Sequence, residues 1–172
     1  MVVLPPIVFD STVLINLAKA RLLESLRNLP EALIVPREIH GETVVEGQRL
    51  AHPDAQAIVA ALEAGILRLG GKAPAVGLER LRRRHRLRVA DASVLVLARQ
   101  HGGLVGSDDA KVRNVAAVEG LACGGTGYVL ARLLRTGILT QREARTHLDR
   151  MIAKGWWVTV ETYSRLLEEL GR

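Results

Sequence analysis

Short apolar runs alternate along the chain with stretches whose apolar residues recur at helical spacing. This alternation is typical of α/β proteins, in which each strand of a parallel sheet is followed by a covering helix. The runs are rich in Val, Ile and Leu, which suits strands that are buried on both faces. The sequence therefore predicts an α/β fold, a three-layer α/β/α sandwich around a central, mostly parallel sheet, with strands at 7–9, 32–36 and 66–70 and after Gly103.

Helical spacing predicts the elements between these strands. The stretch 91–103 is rich in β-branched residues, but its Asp-x-Ser start and Gly-Gly end favour a helix. A short strand and a glycine-rich turn then precede the last three helices. The predicted helices cover 12–20, 21–28, the segment after Pro36, 51–66, 91–103, the segment after Asp109, 128–136, 140–155 and the end of 156–170.

The length and composition favour one domain over residues 1–172. A chain of 172 residues can bury a sizeable core, and its 48% hydrophobic content argues against a disordered protein. Aromatic residues make up only 3%, so the core is expected to be aliphatic. We find no internal repeat and no linker-like segment.

Several features indicate a cytoplasmic protein without a membrane segment. No apolar run reaches the ~18 residues that a membrane-spanning helix needs. The first residues, MVVLPP, lack the basic region and the cleavage site of a signal peptide. Cys123 is the only cysteine, so no intramolecular disulfide can form.

The chain carries a net charge of +6, and its charge is uneven. The segment ERLRRRHRLR (79–88) holds six arginines, which suits an interaction with the phosphates of nucleic acid. We expect Arg82, Arg83 and Arg86 to contact the phosphates of a nucleic acid. The alternatives are a solvated helix face and a contact for an acidic protein partner.

Carboxylates follow two of the predicted strands and lie on two of the predicted helices. Asp10 comes directly after Ile7-Val8-Phe9, and Asp108 and Asp109 follow Leu104-Val105. Glu42 lies six residues after Pro36, and Asp91 begins the apolar helix. Ligands of open α/β sheets bind beyond the carboxyl ends of the strands. These acids could therefore meet in one crevice.

Each acid also has a simpler explanation. Asp10 and Asp91 could cap helices, and Asp108-Asp109 could form a turn with a cap. Glu42 is flanked by glutamates four residues away on each side, which is the spacing of a solvated helix face. The hypothesis of a shared site rests on their conjunction. Several clustered carboxylates need a neutralising cation, and Mg²⁺ or Mn²⁺ prefers such oxygen ligands. A metal beside a basic surface suggests phosphodiester cleavage.

At these positions the chain resembles the PIN-domain family, and in particular a poorly characterised VapC-like subgroup of toxin ribonucleases. The segment VFDSTVLINLAKA is similar to the first strand, the first aspartate and the first helix of that family. IVPREIHGE, ADASVLVLA and GLVGSDDAKVRNVA are similar to its next three acidic segments, and the resemblance continues to the C-terminus.

The resemblance implies a catalytic and a metal-binding set of residues. Asp10, Glu42, Asp91 and Asp109 would be catalytic. Asp10, Asp91 and Asp109 would bind Mg²⁺ or Mn²⁺, and Asp108 is the alternative ligand to Asp109. The chain departs from the subgroup in carrying Asp91 where a glutamate is common.

The same comparison suggests residues that support the acids. Ser107 precedes Asp109 by the family spacing, and Arg113 matches an arginine of the same turn and would contact RNA. Thr12 would orient Asp10 or a metal-bound water, and helix capping is its alternative role.

The implied function is a metal-dependent endoribonuclease for single-stranded RNA, the toxin of a toxin–antitoxin pair. The alternative is a catalytically inactive PIN-like module that binds RNA or a protein. The resemblance also implies a homodimer and an antitoxin that brings a basic side chain to Asp10 and Asp91. The apolar residues of 12–33 could form a dimer face, although such helix faces more often pack into the core.

Other chemistries find less support in the sequence. Phosphatases of the haloacid-dehalogenase type also carry an aspartate after the first strand, but they normally have a second acid two residues later, where this chain has Thr12. A Gly-x-Ser-x-Gly motif is absent, and Cys123 and the five histidines show no catalytic or metal-binding spacing.

Overall fold

A computed structural model describes residues 4–171 and contains a five-stranded parallel sheet. The strand order is β3-β2-β1-β4-β5, and every pairing is parallel. The prediction of an α/β fold with a parallel sheet flanked by helices is confirmed. The strands are β1 (Ile7–Phe9), β2 (Leu33–Val35), β3 (Arg68–Leu69), β4 (Leu104–Gly106) and β5 (Cys123–Gly124).

Ten helices connect and cover these strands in the described part of the chain. Helix α6, which is rich in β-branched residues, is a helix as predicted and packs on β1 and β4. Its residues Ala90 and Ala92–Ala98 are buried, including Val94 and Val96. The helices are α1 (Ser11–Lys19), α2 (Arg37–His40), α3 (Gly47–Arg49), α4 (Pro53–Glu63), α5 (Ala75–His85), α6 (Val89–Gln100), α7 (Ala110–Val118), α8 (Thr126–Arg135), α9 (Gln141–Ala153) and α10 (Val160–Gly171).

Two segments have a different conformation from the one predicted. The helix predicted over 21–28 is only a 3₁₀ turn, Glu24–Asn28. Arg21 has a positive φ of 58°, which ends the preceding helix and turns the chain. Between α2 and α3 the residues Gly41–Glu46 form a π-helical segment, a feature that often marks functional sites.

The core is aliphatic, as the composition predicts, and contains residues of the sheet and of the helices that cover it. The apolar residues of 12–33, which we considered as a dimer face, are buried in this core: Val13, Leu14, Leu17, Leu22, Leu23 and Leu26. The alternative explanation for them is therefore correct. Phe9, the only phenylalanine, lies opposite Gly106 in the register of β1 and β4. A Cβ atom at Gly106 would lie 2.7 Å from the Phe9 ring, so this position requires glycine.

The strand order places two strand ends side by side. From β1 the chain first builds outward through β2 and β3, and it then returns to the other side of β1 to form β4 and β5. The carboxyl ends of β1 and β4 are therefore neighbours at the point where the strand order reverses. This point is where open α/β sheets bind their ligands.

The C-terminal helices are attached to the same edge of the sheet. Helices α8, α9 and α10 pack against one another, and α8 and α9 also pack on α1. The indole Nε1 of Trp156, just before α10, donates a hydrogen bond of 3.1 Å to Asp108. Among residues 4–171, no helix has the length and apolar character that crossing a membrane requires.

Candidate active site

Asp10 lies at the carboxyl end of β1 and is only 4% exposed. Its Oδ1 accepts hydrogen bonds from the backbone N–H of Val13 (2.9 Å) and from the hydroxyl of Thr12 (2.8 Å), and its Oδ2 accepts one from Ser107. Asp10 thus caps α1, and its carboxylate also faces β4. Burial raises the pKa of this carboxyl to about 6, although the three hydrogen bonds lower it.

Ser107 joins the ends of β1 and β4. The side chain is fully buried, and its hydroxyl donates to Asp10 while accepting a bond of 3.1 Å from the backbone N–H of Asp109. The hydroxyl of Thr12 holds the other oxygen of Asp10. Thr12, which we predicted to orient Asp10, and Ser107, which we predicted to support the acids, are therefore both in direct contact with Asp10. Thr12 has no capping bond of its own among the described hydrogen bonds.

Glu42 comes from the π-helical segment and reaches the start of α1. Its Oε2 accepts a hydrogen bond of 2.7 Å from the hydroxyl of Ser11, the neighbour of Asp10. Its Oε1 lies 3.2 Å from a guanidinium nitrogen of Arg88. Glu42 is therefore directed to the carboxyl edge of the sheet and is not part of a freely solvated helix face.

Arg88 connects Glu42 with Asp91. The guanidinium forms a two-pronged ion pair with Asp91, with nitrogen–oxygen distances of 3.1 and 3.0 Å, and its remaining nitrogen contacts Glu42. The hydrogen bond with Asp91 and the charges of Asp91, Glu42 and Asp109 raise the pKa of Arg88. One guanidinium thus neutralises part of a group of three acids.

The two aspartates after β4 have different surroundings. Asp109 caps α7 by accepting a bond of 2.9 Å from the N–H of Val112, and its charge acts on Arg88. Asp108 accepts bonds from the backbone and hydroxyl of Thr126, from Asn16 (3.0 Å) and from Trp156. Its carboxylate is thereby bound to the start of α8.

The arginine-rich segment divides into groups with different contacts. Arg82 and Arg83 pair with Glu79 on the exposed side of α5. Arg86, which follows α5 with a φ of 52°, donates no side-chain hydrogen bond to any residue between 4 and 171. Apart from Arg88, the remaining basic members converge on the side chain of Glu119, together with Arg99 of α6; they are Arg80, Arg84 and His85.

Sequence reasoning did not identify Arg88 as part of the site. It was one of six arginines in a row of similar residues, and only its i, i+3 spacing to Asp91 distinguishes it. Asn16 and Thr126 were also missed. Asn16 lies 92 positions from Asp108 and 110 from Thr126, and Thr126, at the start of α8, lies 18 positions from Asp108. No local pattern carries that information.

The acids are near one another but do not form a closed ligand set. Within residues 4–171, no three His, Cys, Asp or Glu side chains are grouped so that they could hold a metal ion. The guanidinium of Arg88 lies between Glu42 and Asp91 and shows that this space accepts a cation.

A family model described as a PIN domain, DUF3368, matches residues 6–172.

The chain belongs to the PIN domain family. The predicted PIN family is thus confirmed, and the VapC-like subgroup stays a prediction. PIN domains are nucleases as a class and typically use divalent metals. A solved structure titled "Crystal Structure of PAE2754 from Pyrobaculum aerophilum" is similar in fold, with a TM-score of 0.55 and 18% sequence identity. The likeness covers 75% of this chain and 95% of that one. No curated protein matches the chain at a significant level.

In the PIN fold of this chain, all four predicted acids belong to the ends of elements at one edge of the sheet. Asp10 and Asp109 follow the adjacent strands β1 and β4, Glu42 contacts the residue after Asp10, and Asp91 shares Arg88 with Glu42. Their roles as catalytic residues and metal ligands stay predictions.

Proposed function

We propose that this PIN domain is a metal-dependent endoribonuclease that cleaves single-stranded RNA, and that it is a VapC-like toxin of a toxin–antitoxin pair. One observation carries the nuclease proposal. Four carboxylates from four different elements lie around the neighbouring ends of β1 and β4, and one guanidinium is inserted between two of them. Carboxylates that served only as solvated surface groups would not need to converge from four separate elements.

The chemistry of the donors suits a hard divalent cation, although binding one would require the acids to draw closer together, since no three of them in residues 4–171 are grouped as metal ligands. Asp10, Asp91 and Asp109 would hold Mg²⁺ or Mn²⁺ through carboxylate oxygens, and Glu42 would complete the negative site. The guanidinium of Arg88 supports this fit, because it is a cation already bound by two of these acids. When bound, the divalent cation would activate a water and stabilise the charge on the leaving oxygen.

The protein's own residues fix the geometry of Asp10. Ser107 and Thr12 each donate to one of its oxygens, so the carboxylate plane cannot rotate freely. The pKa of Asp10 is about 6 in the absence of a cation, so its carboxyl holds a proton at mildly acidic pH. A bound cation favours the charged form, and metal loading is expected to release this proton.

Asp109 is the better candidate for metal contact than Asp108. The carboxylate of Asp108 accepts four hydrogen bonds, and a Cβ atom at Gly125 would lie 2.0 Å from its Oδ1. If Asp108 bound a metal ion, its carboxylate would lose the hydrogen bonds that attach α8 and Trp156 to the segment after β4. Asp109 has one oxygen engaged by the cap of α7, and the second oxygen has no described hydrogen bond.

Exposed arginines near the carboxyl edge supply a binding surface for the RNA backbone. Arg86 and Arg113 are exposed, and Arg82 and Arg83 share a single partner, Glu79. Arginine suits this role because its planar fork can bind two phosphate oxygens. Arg80 and Arg84 are less available, since they contact the buried side chain of Glu119.

A second candidate function has its own supporting observation. In a module that binds RNA without cleaving it, Arg88 would be a permanent partner of Glu42 and Asp91, and no divalent cation would enter. The two candidates differ in one measurable property. Only the nuclease needs the acids to bind a metal.

A cleavage assay on single-stranded RNA, with Mg²⁺, Mn²⁺ or EDTA, tests the proposal. We expect cleavage with either metal and none with EDTA. Asp10→Asn and Asp91→Asn should each lower the rate at least roughly 100-fold and weaken Mn²⁺ binding measured by calorimetry. Asp149→Asn, on the exposed face of α9, is the matched control and should behave as wild type. RNA binding without cleavage or Mn²⁺ binding would instead support the inactive module.

A further inference from the structure

A cavity of about 450 Å³ lies between the end of β5, α8 and the segment that leads into α10. We propose that it binds one nucleotide of single-stranded RNA, with the base against Trp157 and the phosphate held by Arg113 and Arg165. This inference rests on the proposed ribonuclease function and assigns a substrate site to it. The volume is that of a small-molecule pocket and is sufficient for one nucleotide.

The position of the cavity makes it a continuation of the carboxylate edge. Its wall includes Asp108, which follows β4, and Gly124 and Gly125 at the end of β5. Asp10 and Asp109 follow β1 and β4, so the cavity begins one strand further along the same edge. Adjacent strands lie ~4.8 Å apart, so a strand of RNA crossing the acids can continue into the cavity.

The charge of the wall favours a phosphate. Arg113 and Arg165 are exposed and form no ion pair with any acid in residues 4–171. The third arginine of the wall, Arg135, is engaged, because it lies 3.7 Å from Glu169 and 5.9 Å above the ring of Tyr128. Two arginines beside one cavity and without a carboxylate partner can bind phosphate oxygens.

Two adjacent tryptophans have opposite environments at this site. Trp156 is buried, and its Nε1 is bound to Asp108. Trp157 is 80% exposed and lines the cavity, which leaves a large aromatic face in water. Since its neighbour is anchored, the position of Trp157 at the cavity is held by the backbone. Proteins that bind single-stranded nucleic acid use such aromatic faces to stack bases.

The wall also contains a carboxylate oxygen that lacks a hydrogen bond. Oε2 of Glu169 is buried and has no donor among the described residues, since its 3.7 Å separation from Arg135 is too long for a hydrogen bond. An acceptor of this kind needs a donor or a water. The N–H groups on the edge of a base would supply one. The cavity thus offers a stacking face, phosphate ligands and a hydrogen-bond acceptor.

Tryptophan fluorescence can test this site without cleavage. The chain has only two tryptophans, and only Trp157 is exposed, so quenching of the exposed indole reports on the cavity. We would titrate the Asp10→Asn protein in EDTA with a single-stranded RNA pentamer and with a duplex of the same sequence. The single strand should quench the emission and the duplex should not, because its bases are already stacked.

Substitutions in the wall should weaken RNA binding measured by fluorescence anisotropy. We expect Trp157→Ala to raise Kd about 5–10-fold. The Arg113→Ala/Arg165→Ala variant should raise it about 10-fold or more and lower the salt slope by about 2. The matched control is Arg142→Ala/Arg145→Ala, which removes the same charge from the exposed face of α9 and should change Kd much less. Melting curves would verify that all variants are folded.

The possible outcomes separate this site from the proposed reaction. Quenching by RNA with loss of affinity in the wall variants supports the site, even if the wild type does not cleave RNA. Metal-dependent cleavage without any response of Trp157 would overturn the site and leave the reaction intact. Quenching by an acidic peptide but not by RNA would also overturn the proposal, because the occupant would then be a protein.

Discussion

Arg88 is the residue that most affects the interpretation of the site. It contacts Asp91, three residues away, and Glu42, 46 residues away, although 68% of its side chain is exposed. An exposed ion pair contributes only about 0–1 kcal/mol, so the guanidinium can leave the acids at small cost. Arg88 is therefore expected to compete with a divalent cation and to become available to the RNA phosphate when it is displaced.

Replacing Arg88 should strengthen metal binding. In Arg88→Ala, Glu42 and Asp91 lose their internal cation, so we expect the Mn²⁺ affinity to rise about 3–10-fold, which corresponds to about 1 kcal/mol. Calorimetric titration with Mn²⁺ in RNA-free buffer measures this directly. Arg86→Ala removes a nearby exposed arginine that contacts neither acid and serves as the control. An unchanged or lower affinity in Arg88→Ala would show that the arginine does not compete.

Asp10 should limit stability at neutral pH in metal-free buffer. Its pKa in the folded protein, about 6, lies above the ordinary value of 3.8, because burial disfavours the charged carboxylate. The stability gained from the protonated form is complete below pH about 4 and is lost as the pH rises through about 6. Asp10→Asn should therefore be more stable than wild type by about 1–2 kcal/mol at pH 8 and similar at pH 4.

Chemical denaturation in EDTA at the two pH values measures this difference. Asp149→Asn changes an exposed carboxylate and should have little effect at either pH. If Asp10→Asn is less stable than the wild type at pH 8, the lost hydrogen bond from Ser107 outweighs the burial of charge, and our interpretation of Asp10 is wrong.

At the level of elements, part of the arginine-rich helix has a structural role. Helix α5 contributes Arg80, Arg84 and His85 to the side chain of Glu119, which lies at the C-terminal end of α7 and is only 4% exposed. The hydrogen bond from His85 and the contacts of the arginines lower the pKa of Glu119 to about 2, although burial opposes this. This cluster attaches α5 to α7.

Glu119→Gln should therefore destabilise the protein at neutral pH. Because the pKa of Glu119 is lowered from 4.5 to about 2 in the folded state, its contribution is present above pH about 4.5 and is lost as the pH falls to about 2. We expect a loss of roughly 2 kcal/mol at pH 7 that shrinks toward pH 2. Unfolding curves at both pH values measure it. Glu79→Gln, which breaks only exposed pairs, should cost less than about 0.5 kcal/mol; a similar cost for both variants would contradict the proposed cluster.

The sequence predicts the elements well where local patterns determine them. Apolar runs and capping residues place β1, β2, β4 and α6 close to their observed bounds. The prediction of a helix over 21–28 was wrong, because Arg21 adopts a positive φ of 58° that helical spacing does not predict, and only a 3₁₀ turn forms at Glu24–Asn28. The acids that follow β1 and β4 lie at adjacent strand ends because the strand order places β1 beside β4. The contact of Arg88 with Glu42 and the cluster at Glu119 join distant residues, and no spacing in the sequence reveals them.

At the scale of the whole molecule, the predicted homodimer needs a different surface from the one we first considered. The apolar residues of 12–33 lie in the core and cannot contact a second copy. The apolar side chains that remain exposed, apart from those at the proposed nucleotide cavity, include Val76 on α5, Val118 on α7 and Val160 on α10. A stable interface buries about 800 Å² per partner, so a dimer would have to include polar surface around these residues.

We still predict a homodimer, inhibited by an antitoxin that brings a basic side chain to Asp10 and Asp91. Arg88 already pairs with Asp91, so the basic group of the antitoxin would have to displace it, and inhibition should be stronger for Arg88→Ala.

Light scattering from about 1 to about 500 µM tests the predicted homodimer, because association depends on concentration. A dimer should appear within this range, and Val160→Glu, which places a charge at an exposed apolar position, should weaken it. A protein that stays monomeric at the highest concentration would contradict the dimer without affecting the proposed metal site.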